Sequence, residues 1–165
     1  MRIRPALEGE ASVLSSIAWE AKAFWPYSAS QLAAWREELT ISARCIAVRP
    51  TWVAEIGSRI VGFFVLAPSS ATWVLEHCWV LPVGRGRGVG RALLAQALSL
   101  AAAGGATALS IDSDPYAEPF YLACGARRVG LVAAPVAGSP GRSRPQLLLF
   151  TGQAVASTIA GSPPA

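Results

Sequence analysis

The spacing of apolar residues changes from segment to segment along this chain, and each spacing predicts an element. Residues 2–7 alternate as a short edge strand does. From 8 to 24, Val13, Leu14, Ile17, Ala18 and Ala21 recur at helical intervals until Trp25-Pro26 stops the run. A second helix, capped by Ser28 or Ser30, is predicted through Leu39. Leu32, Trp35 and Leu39 share one face of it, Glu37 and Glu38 the other, and Thr40 and Ser42 mark its end. Residues 52–55, a Gly57-Ser58 turn, 60–66, a loop at 68–71 and 72–80 read as an antiparallel meander. Residues 82–90 hold too much glycine for a strand. A helix follows over 91–103, with Leu93, Leu94, Ala97, Leu98 and Ala101 on one face and Gly104-Gly105 as its stop. Residues 106–111 form a short apolar strand, which a helical connection should set parallel to the strand before it. A last short helix covers 115–123, closed by Gly125, and 127–132 with 146–150 make a final hairpin. The Pro- and Gly-rich loop 133–145 is long enough to suggest function. The order β-α-α-β-β-β-α-β-α-β-β gives an α/β fold with a mixed sheet of six to seven strands. It forms one domain over 1–150, with a frayed tail over 151–165.

Composition narrows the class. The chain has 165 residues, 53% hydrophobic and 15% charged, which excludes disorder over most of its length and suits a single core. The uncharged helical stretch 92–103 is too short and too Ala-rich to cross a bilayer of about 30 Å, so no membrane partner is expected. The N-terminus lacks the apolar core of a signal peptide. Three widely spaced Cys and one His supply neither a disulfide framework nor a metal site, and a reducing cytoplasm fits them best. The net charge of +4 comes from thirteen Arg and one Lys against ten acids, a bias that fits phosphate recognition or GC-rich coding equally well. Nucleic acid is not an expected partner, because the arginines cluster at one turn without interleaved aromatics or a groove-reading helix.

The turn itself is the most informative segment: Val80-Leu81-Pro82-Val83-Gly84-Arg85-Gly86-Arg87-Gly88-Val89-Gly90-Arg91, between a strand and a helix. Backbone N–H groups without side-chain cover at the start of a helix make an anion site. A dinucleotide G-x-G-x-x-G is not formed, since Val89 and Arg91 stand where the third glycine would fall, and no P-loop Gly-Lys-Ser/Thr occurs. What remains, Arg85-Gly86-Arg87-Gly88-Val89-Gly90, is an R-x-x-G-x-G turn just after a V-x-P strand end. It resembles the coenzyme A pyrophosphate turn of the GNAT N-acetyltransferase superfamily. The segment from Asp114 to Ala126 is similar to that superfamily's N-x-x-A-x-x-F-Y-x-x-x-G-F pattern. Ala117, Phe120, Tyr121 and Gly125 fall in register, Asp114 stands where Asn is usual, and Ala126 where Phe is usual. Trp25-Pro26-Tyr27 and Pro140-Gly141-Arg142-Ser143-Arg144-Pro145 are similar to W-x-Y and P-G-R-x-x-P elements of some members. The likeness extends over residues 2–150.

The resemblance implies helices on both faces of a sheet whose central strands splay. Acetyl-CoA would lie in the gap, its pyrophosphate on Arg85, Gly86, Arg87, Gly88, Val89 and Gly90, its arm on the backbone of Cys78, Trp79 and Val80, and Asp114 close to it. The acceptor would be a primary amine of a small molecule or a protein, attacking the thioester directly, with coenzyme A as product. Tyr121 is the implied proton donor to the leaving thiolate. Period-two alternation puts Glu76 on the face of Cys78 and Val80 unless a bulge intervenes, as a candidate base, with His77 on the opposite face and a water chain as the alternative. Trp25 and Tyr27 would rim the acceptor cleft, and Arg142 would meet a carboxylate or phosphate of the acceptor. Cys78 and Cys124 read as small buried hydrophobes. A homodimer fits the superfamily's habit. The rival reading is a sensor that holds coenzyme A or an acyl-CoA without turnover.

Overall fold

A computed structural model describes residues 1–152, so most of the expected tail lies outside the described residues. Seven strands form one sheet in the order β1-β2-β3-β4-β5-β7-β6. They are β1 (Arg2–Pro5), β2 (Thr51–Ile56), β3 (Arg59–Ala67), β4 (Thr72–Val80), β5 (Ala108–Asp112), β6 (Arg127–Ala133) and β7 (Ser143–Phe150). Only β4 and β5 are parallel, joined as predicted through a helix. Every other neighbouring pair is antiparallel. The helices are α1 (Ala11–Ala23), α2 (Ala29–Ala34), α3 (Ala43–Val48), α4 (Val89–Ala103) and α5 (Glu118–Ala123).

The sheet is buried on both sides, which is why β3 reads as a near-continuous apolar run. Phe64 and Leu66 join Trp73, Leu93, Leu94, Leu109 and Leu147 in the core under α4 and α5. Phe63 and Val65 face the other way, against Leu14, Ile17, Ala18, Trp35 and Leu39 from α1 and the segment after it. At Gly104, directly after α4, a Cβ would stand 2.2 Å from the Trp73 ring, so the absence of a side chain lets the helix end close on the sheet.

The predicted second helix is interrupted. Ser28 caps α2 through a reciprocal pair with Gln31, at 3.3 and 3.0 Å, but Trp35 takes φ −94° and ψ 6° and the chain continues to Leu39 as turns. Trp35 and Leu39 keep the buried face that the spacing gave them. α3 was not predicted: Ser42, taken as an ending, is its N-cap, its Oγ accepting from the Cys45 amide at 3.0 Å. Six residues are too few for a 3.6-residue period to register. β7 starts at Ser143, three residues before its predicted start. The Pro145 carbonyl accepts from the Ser113 amide at 2.9 Å, just past the last residue of β5, so the N–H that proline lacks would face the point where β5 leaves the sheet. The final loop is correspondingly shorter.

On β4, His77 and Trp79 face the α1–α3 side, where the Trp79 Nε1–H donates to His77 Nδ1 at 3.2 Å. Burial, then the nearby Arg49 charge, pushes the His77 pKa down to about 4. The unfolded chain therefore takes up the histidine proton first on acidification, and stability contributed by a neutral His77 is intact above pH ~6.5 and lost as pH falls toward 4. Urea titrations across that window should show the decline in the wild type and a shallower slope in His77→Gln. Gly104→Ala forces a methyl into the Trp73 ring and should cost about 1–3 kcal/mol in the same assay.

Candidate active site

The site begins where the sheet divides. β4 and β5 pair only at Thr72↔Ala108, Trp73↔Leu109 and Val74↔Ser110. Beyond them β4 continues alongside β3 to Val80, while β5 continues alongside β7, so from Leu75 onward one edge of β4 is unpaired. The β3 side carries an irregularity as well. Leu66 pairs with Leu75 and Val65 with His77, leaving Glu76 as an extra residue, a bulge. Trp73 and Leu75 before the bulge, and Cys78 and Val80 after it, all pack on the α4 core. The intervening bulge thus takes Glu76 out of simple alternation with Cys78 and Val80, and its carboxylate forms an ion pair with Arg49 at the end of α3.

The glycine turn fills the mouth of this gap. Gly86 and Gly88 have φ of +69° and +76°, a region that side chains disfavour, and a Cβ at either would meet nothing within 4 Å. Gly88 precedes α4 and provides no side-chain cap. Among the described residues, the amides of Gly86, Gly88, Val89 and Gly90 have no backbone acceptor, so four donors are left without a backbone partner at the positive end of a helix, those of Gly86 and Gly88 on exposed residues and that of Val89 on a buried one. Gly90 is bare for a different reason: a Cβ there would lie 3.1 Å from the Phe120 ring, which packs the turn against α5. Arg85 lies over the rings of Phe24 and Trp25, 4.0 and 4.4 Å from their centroids, and donates to the Ala21 carbonyl at 3.4 Å. It therefore fastens the turn to the end of α1, while Arg87 stays exposed.

Two cavities flank the divided strands. The smaller, about 380 Å³, is bounded by the turn, Cys78, Trp79, Val80, Trp25, Tyr116 and Phe120. The larger, about 620 Å³, extends under α3 and the β5 end and includes Arg44, Arg49, Glu76, His77, Arg142 and Arg144. They share a wall made of Cys78, Trp79, Asp114, Ala117 and Tyr121. Tyr121 is 6% exposed, with the Cys78 thiol beside it in the shared wall. Burial, then the neighbouring Cys78, raises the phenol well above its ordinary pKa, and burial pushes the Cys78 thiol up to about 12. Both groups carry their protons at neutral pH.

Asp114 joins the shared wall to a polar cluster that the sequence reading only partly anticipated. Asp114 accepts from Lys22 Nζ at 2.5 Å, from the Tyr27 hydroxyl at 2.9 Å and from the Tyr116 amide at 2.9 Å, with Arg142 Nη2 at 3.6 Å. Lys22 Nζ also lies 4.1 Å from the Trp35 ring centroid, and Arg142 donates to the Ala134 carbonyl at 3.1 Å. Asp114, expected beside the cofactor, and Tyr27 and Arg142, expected beside the acceptor, are thus brought into one buried cluster. Burial lowers the Lys22 pKa against the pull of Asp114, and burial raises the Tyr27 pKa to about 12. Lys22 was missed. It is the sole lysine of the chain and lies one turn past Ala18 on the buried face of α1, a signal legible in the sequence. Trp25 lines the smaller cavity, stacked on Tyr116 at 5.2 Å, rather than the larger one. Among the described residues, no His, Cys, Asp and Glu cluster could hold a metal, and no helix is long and apolar enough to cross a membrane.

Comparison with known proteins agrees with this geometry. No curated protein sequence matches the chain significantly. Among solved structures, a GCN5-related N-acetyltransferase from Rhodopseudomonas palustris has a TM-score of 0.74 at 23% identity, over 90% of this chain and 94% of its own. The PaiA N-acetyltransferase from Thermoplasma acidophilum, in complex with coenzyme A, has 0.71 at 17%, over 90% and 98%. The ribosomal-protein-alanine N-acetyltransferase from Brucella melitensis has 0.64 at 22%, over 91% and 99%. These likenesses concern the fold. The model of the Acetyltransferase (GNAT) family matches residues 14–126, a span that holds the divided strands, the uncapped turn and Tyr121, and the chain belongs to that acetyl-CoA-using family.

Proposed function

We propose that this protein is an N-acetyltransferase that passes the acetyl group of acetyl-CoA directly to a primary amine in a ternary complex. The observation that supports this most is the shared wall: the cavity beside the uncapped turn and the larger cavity meet at Cys78 and Tyr121. A donor held in one and an acceptor held in the other would be brought together there, and proximity supplies much of the rate.

The amides of Gly86, Gly88, Val89 and Gly90 receive the pyrophosphate, with exposed Arg87 beside them. The open edge of β4 at Cys78, Trp79 and Val80 holds the pantetheine arm, and a backbone amide near Val80 stabilises the developing oxyanion. The amine nitrogen attacks the carbonyl carbon, the carbon–sulfur bond breaks, and Tyr121 gives its proton to the departing sulfur. A phenol whose pKa is raised by burial is protonated and ready for that step. Cys78 is held as a neutral thiol, which favours direct transfer over an acetyl-cysteine route. Glu76, in the larger cavity, orients the amine and accepts its proton once Arg49 yields. His77 is less suited to be a base, because Nδ1 already accepts from Trp79 and the neutral ring then carries its proton on Nε2.

Calorimetry should show saturable acetyl-CoA binding that ATP and NAD do not reproduce. Gly88→Ala, forced to a left-handed φ, should weaken that binding about tenfold or more. Tyr121→Phe should bind acetyl-CoA within a few-fold of wild type and lower kcat by about 100-fold in a free-thiol assay with an amine panel. An acetyl-CoA complex indifferent to Tyr121→Phe and inert toward every amine would instead mark a sensor, and well-folded protein that ignores acetyl-CoA would overturn both readings.

A further inference from the structure

Among the described residues, the larger cavity contains one partly buried cation that the protein leaves unmatched. Of its basic residues, Lys22 and Arg142 serve Asp114, and Arg49 serves Glu76. Arg44 is at the exposed rim, as are Glu38 and Asp112, where water screens all three. Arg144 differs. It lies only partly exposed on β7, on the face opposite buried Pro145 and Leu147, and its Nε is buried with no hydrogen-bond partner. Among the described residues, neither a carboxylate nor a carbonyl pairs with its guanidinium. An arginine held partly out of water without an internal acceptor is costly, and Arg144 lines the cavity.

Resting on the acetyltransferase reading above, we propose that the acceptor is a small amine carrying a carboxylate, an amino-acid-like molecule, whose carboxylate is received by Arg144. A guanidinium offers parallel N–H donors to the two oxygens of a carboxylate, a match that an ammonium acceptor cannot make. Asp114 is shared by Lys22 and Arg142 and Glu76 is taken by Arg49, so no buried carboxylate of the cavity is left to receive a second positive charge on the acceptor. Polyamines and aminoglycoside-like polycations are therefore disfavoured. The carboxylate is anchored at Arg144 and the amine is directed toward the wall of Tyr121 and Cys78.

The test compares matched amines on one skeleton: leucine, leucinamide and isoamylamine, then phenylalanine, phenylalaninamide and phenethylamine, with spermidine as a polycation. Each is assayed for thiol release with acetyl-CoA and for its shift of the thermal transition of coenzyme A-loaded protein. The carboxylates should exceed their amide and decarboxylated partners by about tenfold or more in kcat/KM, and should give the larger stabilisation. Arg144→Gln should bring that ratio close to one by raising KM for the carboxylate, and Arg144→Lys should restore part of it. Calorimetry with acetyl-CoA on the same preparations separates the two proposals. If acetyl-CoA binds but carboxylates show no advantage, spermidine is preferred, no amine of the set acts or binds, or Arg144→Gln leaves the ratio intact, the carboxylate inference is overturned alone. If acetyl-CoA does not bind, the acetyltransferase reading falls first.

Discussion

Everything distinctive in this molecule depends on three residue pairs between parallel strands. Had β4 and β5 remained paired to their ends, the sheet would close into a continuous surface and the edge from Leu75 to Val80 would be consumed by neighbouring backbone. Because pairing stops at Val74↔Ser110, the backbone itself becomes a surface that can bind. β7 inserts on the far side of β5 and draws it away from β4, so the gap is enforced by the register of the second half of the sheet.

Around that gap, charge is handled by enclosure in aromatic rings. Trp25 stacks on Tyr116, Tyr27 meets Tyr116 and Trp35 edge-on, and three cations lie against this wall: Arg85 over Trp25, Lys22 and Arg142 over Trp35. Ring faces attract cations without offering a proton acceptor. Lys22 and Arg142 can therefore converge on a single carboxylate, Asp114, without a second acid being buried. The loop that opens α5, and with it Tyr121, is tied to α1 by this arrangement. Removing one member leaves the others as buried charges with fewer partners, so the cluster acts as a unit.

The fold was largely legible because its signals are local. The uncapped turn, the long α4 and the segment through Tyr121 are each specified by residues a few positions apart, and the structure puts them where the spacing did. The readings that changed depend on partners distant in sequence. α3 is one capped turn too short to show a period, and β7 tolerates Pro145 only because β5 has ended beside it. The bulge at Glu76 is decided by β3, which no pattern within β4 reveals. For the site, alternation brought Cys78 and Val80 together correctly but could not say that Asp114, Tyr27 and Arg142 would satisfy one another. Arg144, named only as part of the Pro140–Pro145 loop, had no role there for a similar reason, since a missing partner is visible only once every neighbour is in place.

The bulge also fixes the parity of β4. A strand that alternates without interruption would have to choose: if Trp73 and Leu75 face the α4 core, Cys78 and Val80 must turn away from it. The bulge absorbs the one additional residue, Glu76, so both halves face the same core while each remains regular. Insertions and deletions near this point are therefore not equivalent to loop-length changes elsewhere in the chain. Loss of Glu76 would let Leu75, Cys78 and Val80 alternate without interruption on the α4 core, with His77 and Trp79 still on the α1 side, and would remove the bulge together with the carboxylate it presents to the larger cavity. In this chain, a change of length at that point of the strand is a change in the charge that the cavity presents.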